Sequence, residues 1–324
     1  MSECENFCLL HDAEAWETKS LKICGRLFTV GMTPPPSSLS PPQSWERLLR
    51  TPHPRDHVVQ LYTDEQFLGR AVAHFLGAGL RDVGAAVIIG TPAHVRVISD
   101  RLDTAGVEIP KAVRRGQLVI ADAEQCLARF MRDGLPERAA FLATVLPILE
   151  TIRAAGYLNI RLFGEMVNLL WDHNLEATVQ LEEMWNEVLA DQGVSLLCAY
   201  RIDPFDVHAH RGVLHQISRC HSHLVPVDDY DRLDQAVERA LGDTFDQDAP
   251  ELRQLITTRY PVATSMPASE AALFAVRNLS PSIADTLLER TRHHYSALSL
   301  ASVVSQLARV CTALQGKQQC ESYQ

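Results

Sequence analysis

The sequence predicts an α/β fold, a three-layer sandwich on a mostly parallel sheet, followed by an all-helical C-terminal region. Two observations lead to this prediction. Between residues 57 and 200, five apolar segments have the composition of strands covered on both faces, and helical periodicity occupies the stretches between them. Beyond Pro226 the periodic segments are all helical, so we expect the sheet to end there.

The strands are short apolar runs rich in β-branched residues, and turn residues bound them. Helices between successive strands provide the crossover connections that a parallel sheet requires. Spacing alone does not give the order of the strands in the sheet. The predicted strands are His57–Tyr62, Ala85–Gly90, Gln117–Asp122, Asn159–Gly164 and Ser195–Tyr200.

Each helix between these strands is predicted from apolar residues that recur every three or four positions. Gly77 and Gly79 end the first helix, as C-terminal glycines do. Thr91 and Pro92 provide an N-cap and a first-turn proline for the second. The predicted helices are Asp64–Leu80, Thr91–Ala105, Ala123–Arg132, Pro136–Ala155, Glu165–Trp171 and Leu175–Ala190.

Five further helices are predicted in the C-terminal region, residues 229–324. The last carries one apolar stripe from Leu300 to Leu314, which needs to pack against the body of the protein or a second copy. Residues 298–315 are therefore a candidate segment for homodimerisation or output. The predicted helices are Asp229–Gly242, Glu251–Arg259, Ala268–Asn278, Ser280–Tyr295 and Leu298–Gln315.

Residues 1–52 lack a sustained period and contain a proline-serine linker that begins at Pro34. Such a composition buries too little apolar surface to offset its ordering entropy, so we expect a disordered tail. The predicted organisation is a tail over 1–52, an α/β domain over 53–228 and a helical region over 229–324.

Composition excludes several classes of protein. The formal net charge of −10 argues against direct nucleic-acid binding, which needs clustered surplus cations. No apolar run approaches the roughly 20 residues that span a bilayer, and the N-terminus does not resemble a secretory signal. The eight cysteines lack the spacing of a disulfide framework, so we expect reduced thiols and a cytoplasmic location.

Motifs for common enzyme chemistry are missing from the sequence. Thr63-Asp64-Glu65 follows the first strand and Gly90-Thr91-Pro92 follows the second, and neither is a glycine-rich turn ending in lysine and a hydroxyl residue. There is no Gly-x-Ser-x-Gly elbow and no His-Glu-x-x-His helix. We therefore predict a non-enzymatic protein without a cofactor.

A histidine- and cysteine-rich stretch follows the fifth strand. Its spacing includes pairs that could bind a metal ion, since imidazole and thiolate are the usual ligands of zinc. The alternative is a histidine-rich surface segment with one core cysteine. The candidate ligands are Cys198, His208, His210, Cys220 and His223.

The second unusual stretch begins at the end of the fourth strand with Gly164 and Glu165. Open α/β sheets bind ligands at the carboxyl ends of their strands, so Glu165 could accept hydrogen bonds from a ligand or act as a base. It could equally be the first-turn acid of the next helix. Trp171 could stack on a ligand, although core packing is the plainer role.

Several motifs in order resemble the MEDS family, a sensory domain of methanogens and methylotrophs. The matching segments include His57–Asp64, Phe75–Leu80, Ala85–His94, Phe163–Trp171, Leu181–Asn186, Ser195–Tyr200 and His221–Pro226. The resemblance implies a RecA-like core without working nucleotide-binding motifs, and a role in sensing small organic compounds. The candidate ligand-binding residues are His57, Tyr62, Arg161, Glu165, Trp171, Asn186 and His223.

The leading hypothesis from the sequence is therefore a sensory or regulatory protein that binds a small organic ligand or a signalling protein. Two alternatives stay open. One is a protein-interaction module in a kinase or sigma-factor pathway that binds no ligand. The other is a metal-dependent enzyme that uses Glu165 with the cluster between His208 and His223.

Overall fold

The computed structural model describes residues 44–81, 83–246, 249, 253–254 and 264–299, together with the backbone of residues 18–23 and 26–31. The N-terminal unit, residues 1–41, contains an antiparallel hairpin of Thr18–Ile23 with Arg26–Gly31. We predicted no strand there, because the proline-rich linker dominates the composition of that segment. The second unit, residues 42–324, contains the α/β core.

The core is built on one parallel sheet, and the predicted α/β class is confirmed. The sheet has six strands in the order β6-β1-β5-β4-β2-β3. The five predicted strands are present, and each matches its predicted bounds to within one residue at either end. The strands are β1 (His57–Leu61), β2 (Ala85–Gly90), β3 (Leu118–Asp122), β4 (Ile160–Gly164), β5 (Ser195–Tyr200) and β6 (His223–Val225).

The sixth strand, β6, is absent from the prediction because three residues are too short to show a period. It pairs in parallel with β1, and His223 lies opposite Val58. On its outer side, Leu224 N donates a hydrogen bond to Ser265 O at 2.8 Å, so the C-terminal region covers this edge. Covering an edge strand in this way prevents its pairing with other chains.

Helices cover both faces of the sheet and form the C-terminal region. A 3₁₀ turn over Met166–Leu169 and a two-residue hairpin of Met131–Arg132 with Leu135–Pro136 complete the connections. The helices are α1 (Trp45–Arg50), α2 (Glu65–Arg81), α3 (Pro92–Thr104), α4 (Ile109–Arg114), α5 (Ala123–Phe130), α6 (Arg138–Ala154), α7 (Leu175–Gln192), α8 (Val207–Arg211), α9 (Val213–Arg219), α10 (Tyr230–Phe245), α11 (Ala268–Leu279) and α12 (residues 281–299 of the described chain).

Helices α4, α8 and α9 were not predicted, and two further elements differ from the prediction. Helix α1 lies in the segment predicted as a tail, and it is ordered because Trp45 and Leu49 are buried in the core against α2. The helix predicted over Glu165–Trp171 is only the 3₁₀ turn, because Glu165 N continues the sheet by donating to Ile89 O. The predicted helices over 251–259 and 298–315 lie almost entirely outside the described residues.

Alternating strand residues separate the core into two layers. Val58, Ile88 and Leu197 pack beneath α1, α2, α3 and α4, whereas Val59, Val87 and Leu196 pack against α5, α6, α7 and α9. This arrangement is the predicted three-layer sandwich. Within the described chain, no helix combines the length and the hydropathy needed to cross a bilayer.

Candidate functional site

The carboxyl edge of the sheet gathers side chains from several connections. The chain leaves β1 and β2 towards β3 and leaves β4 and β5 towards β6, so neighbouring strands β1 and β5 send their connections in opposite directions. Such a reversal opens a crevice at the carboxyl ends of the strands, the usual ligand site in open α/β sheets.

Glu165 lies at this edge directly after β4, and its side chain is only 3% exposed. Thr91 N donates to Glu165 Oε2 at 2.8 Å, and the Thr91 hydroxyl donates to Oε1 at 3.2 Å. Gly90 permits this approach, since a Cβ there would lie 3.2 Å from Oε2. The carboxylate therefore joins the ends of β2 and β4.

His94, in the first turn of α3, extends this network. Its Nδ1 lies 2.6 Å from Glu165 Oε1 and its Nε2 lies 2.5 Å from Glu65 Oε2. The hydrogen bond to Glu165 raises the pKa of His94 and Glu65 raises it further, although burial opposes both. An imidazolium between two carboxylates satisfies all three groups.

Tyr62 follows β1 and connects the network to a neighbouring cavity. Its ring stands edge-on to His94 with centroids 6.1 Å apart, and its hydroxyl accepts a hydrogen bond from Asn168 at 3.3 Å. Burial raises the pKa of Tyr62, and the charges of Glu65 and Glu165 add to that effect, so the phenol stays protonated.

The cavity has a volume of about 390 Å³ and lies at the carboxyl ends of β1, β5 and β6. Helices α10 and α12 complete its wall. The lining is mixed, with aromatic and proline side chains beside acidic and basic ones. The lining includes Tyr62, Phe67, Asp203, Phe205, Asp228, Arg232, Arg292 and Tyr295.

Asp228 anchors the far wall of the cavity. Its carboxylate accepts hydrogen bonds from Arg70 of α2 at 2.9 Å and from Arg232 of α10 at 3.2 Å, and its backbone carbonyl accepts one from Trp45 at 2.8 Å. Arg232 also lies 3.8 Å from the centre of the Tyr295 ring in α12. The α/β core and the C-terminal helices therefore share one polar network.

A second group of polar side chains is buried deeper, between the sheet and α7. Its members are His57 in β1, Glu182 in α7, Cys198 in β5 and His221 just before β6, and none is more than 5% exposed. Glu182 Oε2 lies 3.3 Å from His57 Nε2, and Glu182 Oε1 lies 3.4 Å from His221 Nε2. The two imidazole centroids are 4.0 Å apart.

The surroundings of this buried group orient its members. Tyr200 donates a hydrogen bond to Glu182, and burial raises the pKa values of both Tyr200 and Cys198. Burial also lowers the pKa of His221, which keeps its ring neutral. The group is therefore a buried set of nitrogen, sulfur and oxygen atoms.

The sequence profile of the methanogen/methylotroph DcmR sensory domain, MEDS, matches residues 56–222, which comprise β1 to β5 with both buried histidines and the carboxyl-edge network. The chain belongs to the MEDS family. Among curated proteins, none matches it. MEDS is a family of sensory domains, and the resemblance predicted from the motifs is confirmed.

Five of the seven candidate ligand residues predicted from the sequence divide among three places in the MEDS domain. Tyr62 and Glu165 lie at the carboxyl edge, and His57 lies in the buried group. Asn186 supports that group from α7, since its Oδ1 lies 2.9 Å from His57 Nδ1. Trp171 is half-buried beside a more open pocket.

Arg161 and His223 belong to neither group. Arg161 is buried at the other side of the sheet, where it donates hydrogen bonds to backbone carbonyls of α1 and α2. His223 Nε2 lies 3.5 Å from Asp56. These contacts show that the guanidinium stabilises the fold, and a ligand-binding role for Arg161 stays a prediction.

The predicted metal ligands are not brought together. Cys198 belongs to the buried group, whereas His208 is exposed on α8 and His210 Nε2 lies 2.7 Å from Pro204 O. Cys220 contributes its backbone carbonyl, not its thiol, to the contacts of Asn186. Among the described residues, the side chains whose ligand atoms lie within 4.8 Å of one another are His57, Glu182, Cys198 and His221.

Sequence reasoning missed Glu65, Thr91 and His94 at the edge and Glu182 in the buried group. Each stands inside or beside a motif that carries the family resemblance, but nothing in the local pattern shows its partner. The missing information is the strand order: β2 lies beside β4, which places Thr91 against Glu165.

His94 predicts a pH dependence of stability in the MEDS domain. Because the folded-state pKa lies above the ordinary value of 6.5, the stabilisation is complete below pH 6.5 and is lost as pH rises through the raised pKa. His94→Gln should remove this slope in chemical denaturation, and exposed His208→Gln should keep it. Equal slopes in both variants would contradict the assignment.

Proposed function

We propose that this protein is a non-enzymatic sensory or regulatory protein that binds a small organic compound in the carboxyl-edge cavity and transmits binding to its C-terminal helices. One observation carries the proposal. The cavity wall is formed jointly by strand ends of the MEDS domain and by α12, which begins well beyond the matched residues 56–222.

The size and chemistry of the cavity support a small ligand. Its volume of about 390 Å³ falls in the range of small-molecule sites, about 300–1,000 Å³. Phe67 and Phe205 provide apolar contact area, while Asp203 and Arg292 provide polar groups that can orient a ligand. This mixture favours an organic compound with at least one polar group.

The contacts across the cavity suggest how binding is transmitted. Arg292 of α12 donates hydrogen bonds at 2.8 Å to the Asp203 carboxylate and to Phe205 O, both in the connection after β5. A ligand that enters the cavity competes for these groups or adds to them. Either change alters the relative free energies of different placements of helix α12 against the core. A ligand-dependent switch requires such a difference.

The carboxyl-edge network supports a non-enzymatic role. Both carboxylate oxygens of Glu165 accept hydrogen bonds from Thr91 or contact His94 within the protein. A general base needs an oxygen that can reach a substrate proton. We therefore assign Glu165 to holding the strand ends and His94 in position.

A thermal-shift screen of the full chain against small organic compounds and nucleotides tests the proposal, followed by calorimetric titration of any hit. A ligand at about 100 times its Kd should stabilise the fold by about 2.7 kcal/mol. Arg292→Gln should weaken binding at least tenfold. The matched control is Arg290→Gln on the same helix, since Arg290 contacts Asp243 and Thr244 outside the cavity.

Equal affinity of wild type and both variants would place the ligand elsewhere and contradict the proposed site. A flat screen in a folded protein would instead favour the protein-interaction alternative. The cytoplasmic location, the absence of nucleic-acid and membrane partners, and a homodimer through residues 298–315 stay predictions; residues 300–315 lie outside the described chain.

A further inference from the structure

The buried group of His57, Glu182, Cys198 and His221 is separate from the proposed ligand cavity. None of the four lines that cavity, and they lie near the amino ends of β1 and β6, whereas the cavity lies at the carboxyl ends. Four polar, chemically reactive side chains at a closed position in the core need an explanation that the sensory proposal does not supply.

Three of the distances within the group match the edges of a metal coordination tetrahedron. Zinc binds nitrogen and oxygen at about 2.0–2.1 Å and sulfur at about 2.3 Å, which gives edges of about 3.3–3.7 Å between ligand atoms. His57 Nε2 lies 3.3 Å from Glu182 Oε2 and 3.3 Å from Cys198 Sγ. Cys198 Sγ lies 3.7 Å from Glu182 Oε2, and all four ligand atoms lie within 4.8 Å of one another.

The outer nitrogens of both imidazoles are held as in metal sites. His221 Nδ1 lies 2.7 Å from Ile217 O, and His57 Nδ1 lies 3.1 Å from Cys220 O. Carbonyls only accept hydrogen bonds, so each Nδ1 carries the proton and each Nε2 directs a lone pair into the group. Metal-binding histidines are oriented by the same kind of contact.

One of the two Nε2 atoms has no hydrogen-bond partner among the described residues. His221 Nε2 is fully buried and faces the Glu182 carboxylate at 3.4 Å. A lone pair that faces an anion in the core is unfavourable, and a cation between the two removes the conflict.

We propose that His57, Glu182, Cys198 and His221 bind one divalent transition-metal ion, zinc in the first instance. One thiolate, one carboxylate and two neutral imidazoles neutralise a 2+ ion and suit a borderline metal. Binding displaces the thiol proton of Cys198. Four protein ligands leave no open position, so the ion would link β1, β5, α7 and the turn before β6.

Elemental analysis of the purified full chain is the first test, and we expect about one metal ion per chain. After chelation, Co²⁺ is titrated as a spectroscopic probe, and the thiolate-to-cobalt charge-transfer band should appear with tetrahedral d–d absorption. Cys198→Ala should abolish the band and His221→Gln should lower the affinity at least tenfold. Asn186→Ala should weaken binding by about 10–100-fold and keep the band.

The matched control is Cys126→Ala, a buried cysteine on α5 outside the group, which should bind Co²⁺ as the wild type does. Circular dichroism checks that each variant folds. If Cys198→Ala does not fold, the milder variant Glu182→Gln is tested in its place. If the purified protein contains iron in place of zinc, and the same variants lose that iron, the result would also support the site. Substoichiometric metal without a cobalt band in the folded wild type, or a band that survives Cys198→Ala, would overturn it.

Discussion

Replacing Glu270 with glutamine is expected to raise the free energy of unfolding by about 4 kcal/mol at pH 8, as an upper limit. Glu270 lies in α11 and is fully buried, and neither carboxylate oxygen has a hydrogen-bond partner among the described residues. Burial raises the pKa of Glu270 from 4.5 to about 8. Glutamine has the same shape and never ionises.

The sign of the effect follows from proton linkage. The folded state holds the Glu270 proton to about pH 8, whereas the unfolded state releases it near pH 4.5, so wild-type stability falls as pH rises between these values. His210 Nε2 lies 3.7 Å from Glu270 Oε1, but burial lowers the pKa of His210 to about 4, so it is neutral in this range.

Urea unfolding at several pH values measures this effect directly. Glu289→Gln is the control, because Glu289 is exposed on α12 and should leave the pH dependence unchanged. If the wild type and Glu270→Gln have parallel stability curves between pH 5 and pH 8, the carboxyl group is not held neutral in the folded protein.

Arg161→Met is expected to destabilise the protein by about 3–5 kcal/mol. Arg161 is 5% exposed and donates hydrogen bonds to Phe75 O at 2.8 Å, Arg50 O at 3.0 Å and Leu49 O at 3.2 Å. Methionine keeps much of the length and loses every donor. The three carbonyls then lose charge-assisted hydrogen bonds in a buried position.

Denaturant titration checks this value, and Arg138→Met provides the comparison. The Arg138 side chain is 61% exposed and pairs with Glu187 on the surface, so its loss should change stability by about 0–1 kcal/mol. Hydrogen exchange should also quicken over Trp45–Arg50, because two of the lost acceptors belong to α1. Equal effects of the two substitutions would show that Arg161 does not hold α1 in place.

Five of the six strands could be predicted, because each of the five has a local sequence typical of a buried strand. Val87-Ile88-Ile89 is buried on both faces whatever its neighbours, so its composition alone identifies a strand. The 3₁₀ turn after Glu165 could not be predicted in this way. Glu165, which immediately precedes the turn, donates its backbone N–H to Ile89 O of β2, and no local sequence pattern indicates a contact across 76 positions of the chain, from Ile89 to Glu165.

The candidate sites could be predicted only in part, for the same physical reason. Tyr62 and Glu165 stand directly after strands, and general rules for α/β sheets identify such positions. The partners of His57 come from a helix, a strand and a loop, and Cys198 is 141 positions away. Their contact depends on β1 lying beside β5, and strand order is decided by packing across the whole sheet.

The place of β1 between β5 and β6 has a consequence for biosynthesis. The first strand of the six-stranded sheet to leave the ribosome lies inside the finished sheet, and both of its neighbours come from residues 195–225. At a synthesis rate of about 5–20 residues per second, these neighbours are synthesised about 10–30 s after β1. During that time a strand that is buried along its whole length in the native state has two unpaired edges, so nascent chains depend on protection from aggregation. A fragment ending at residue 222 would stop before β6 and keep one of those edges permanently open.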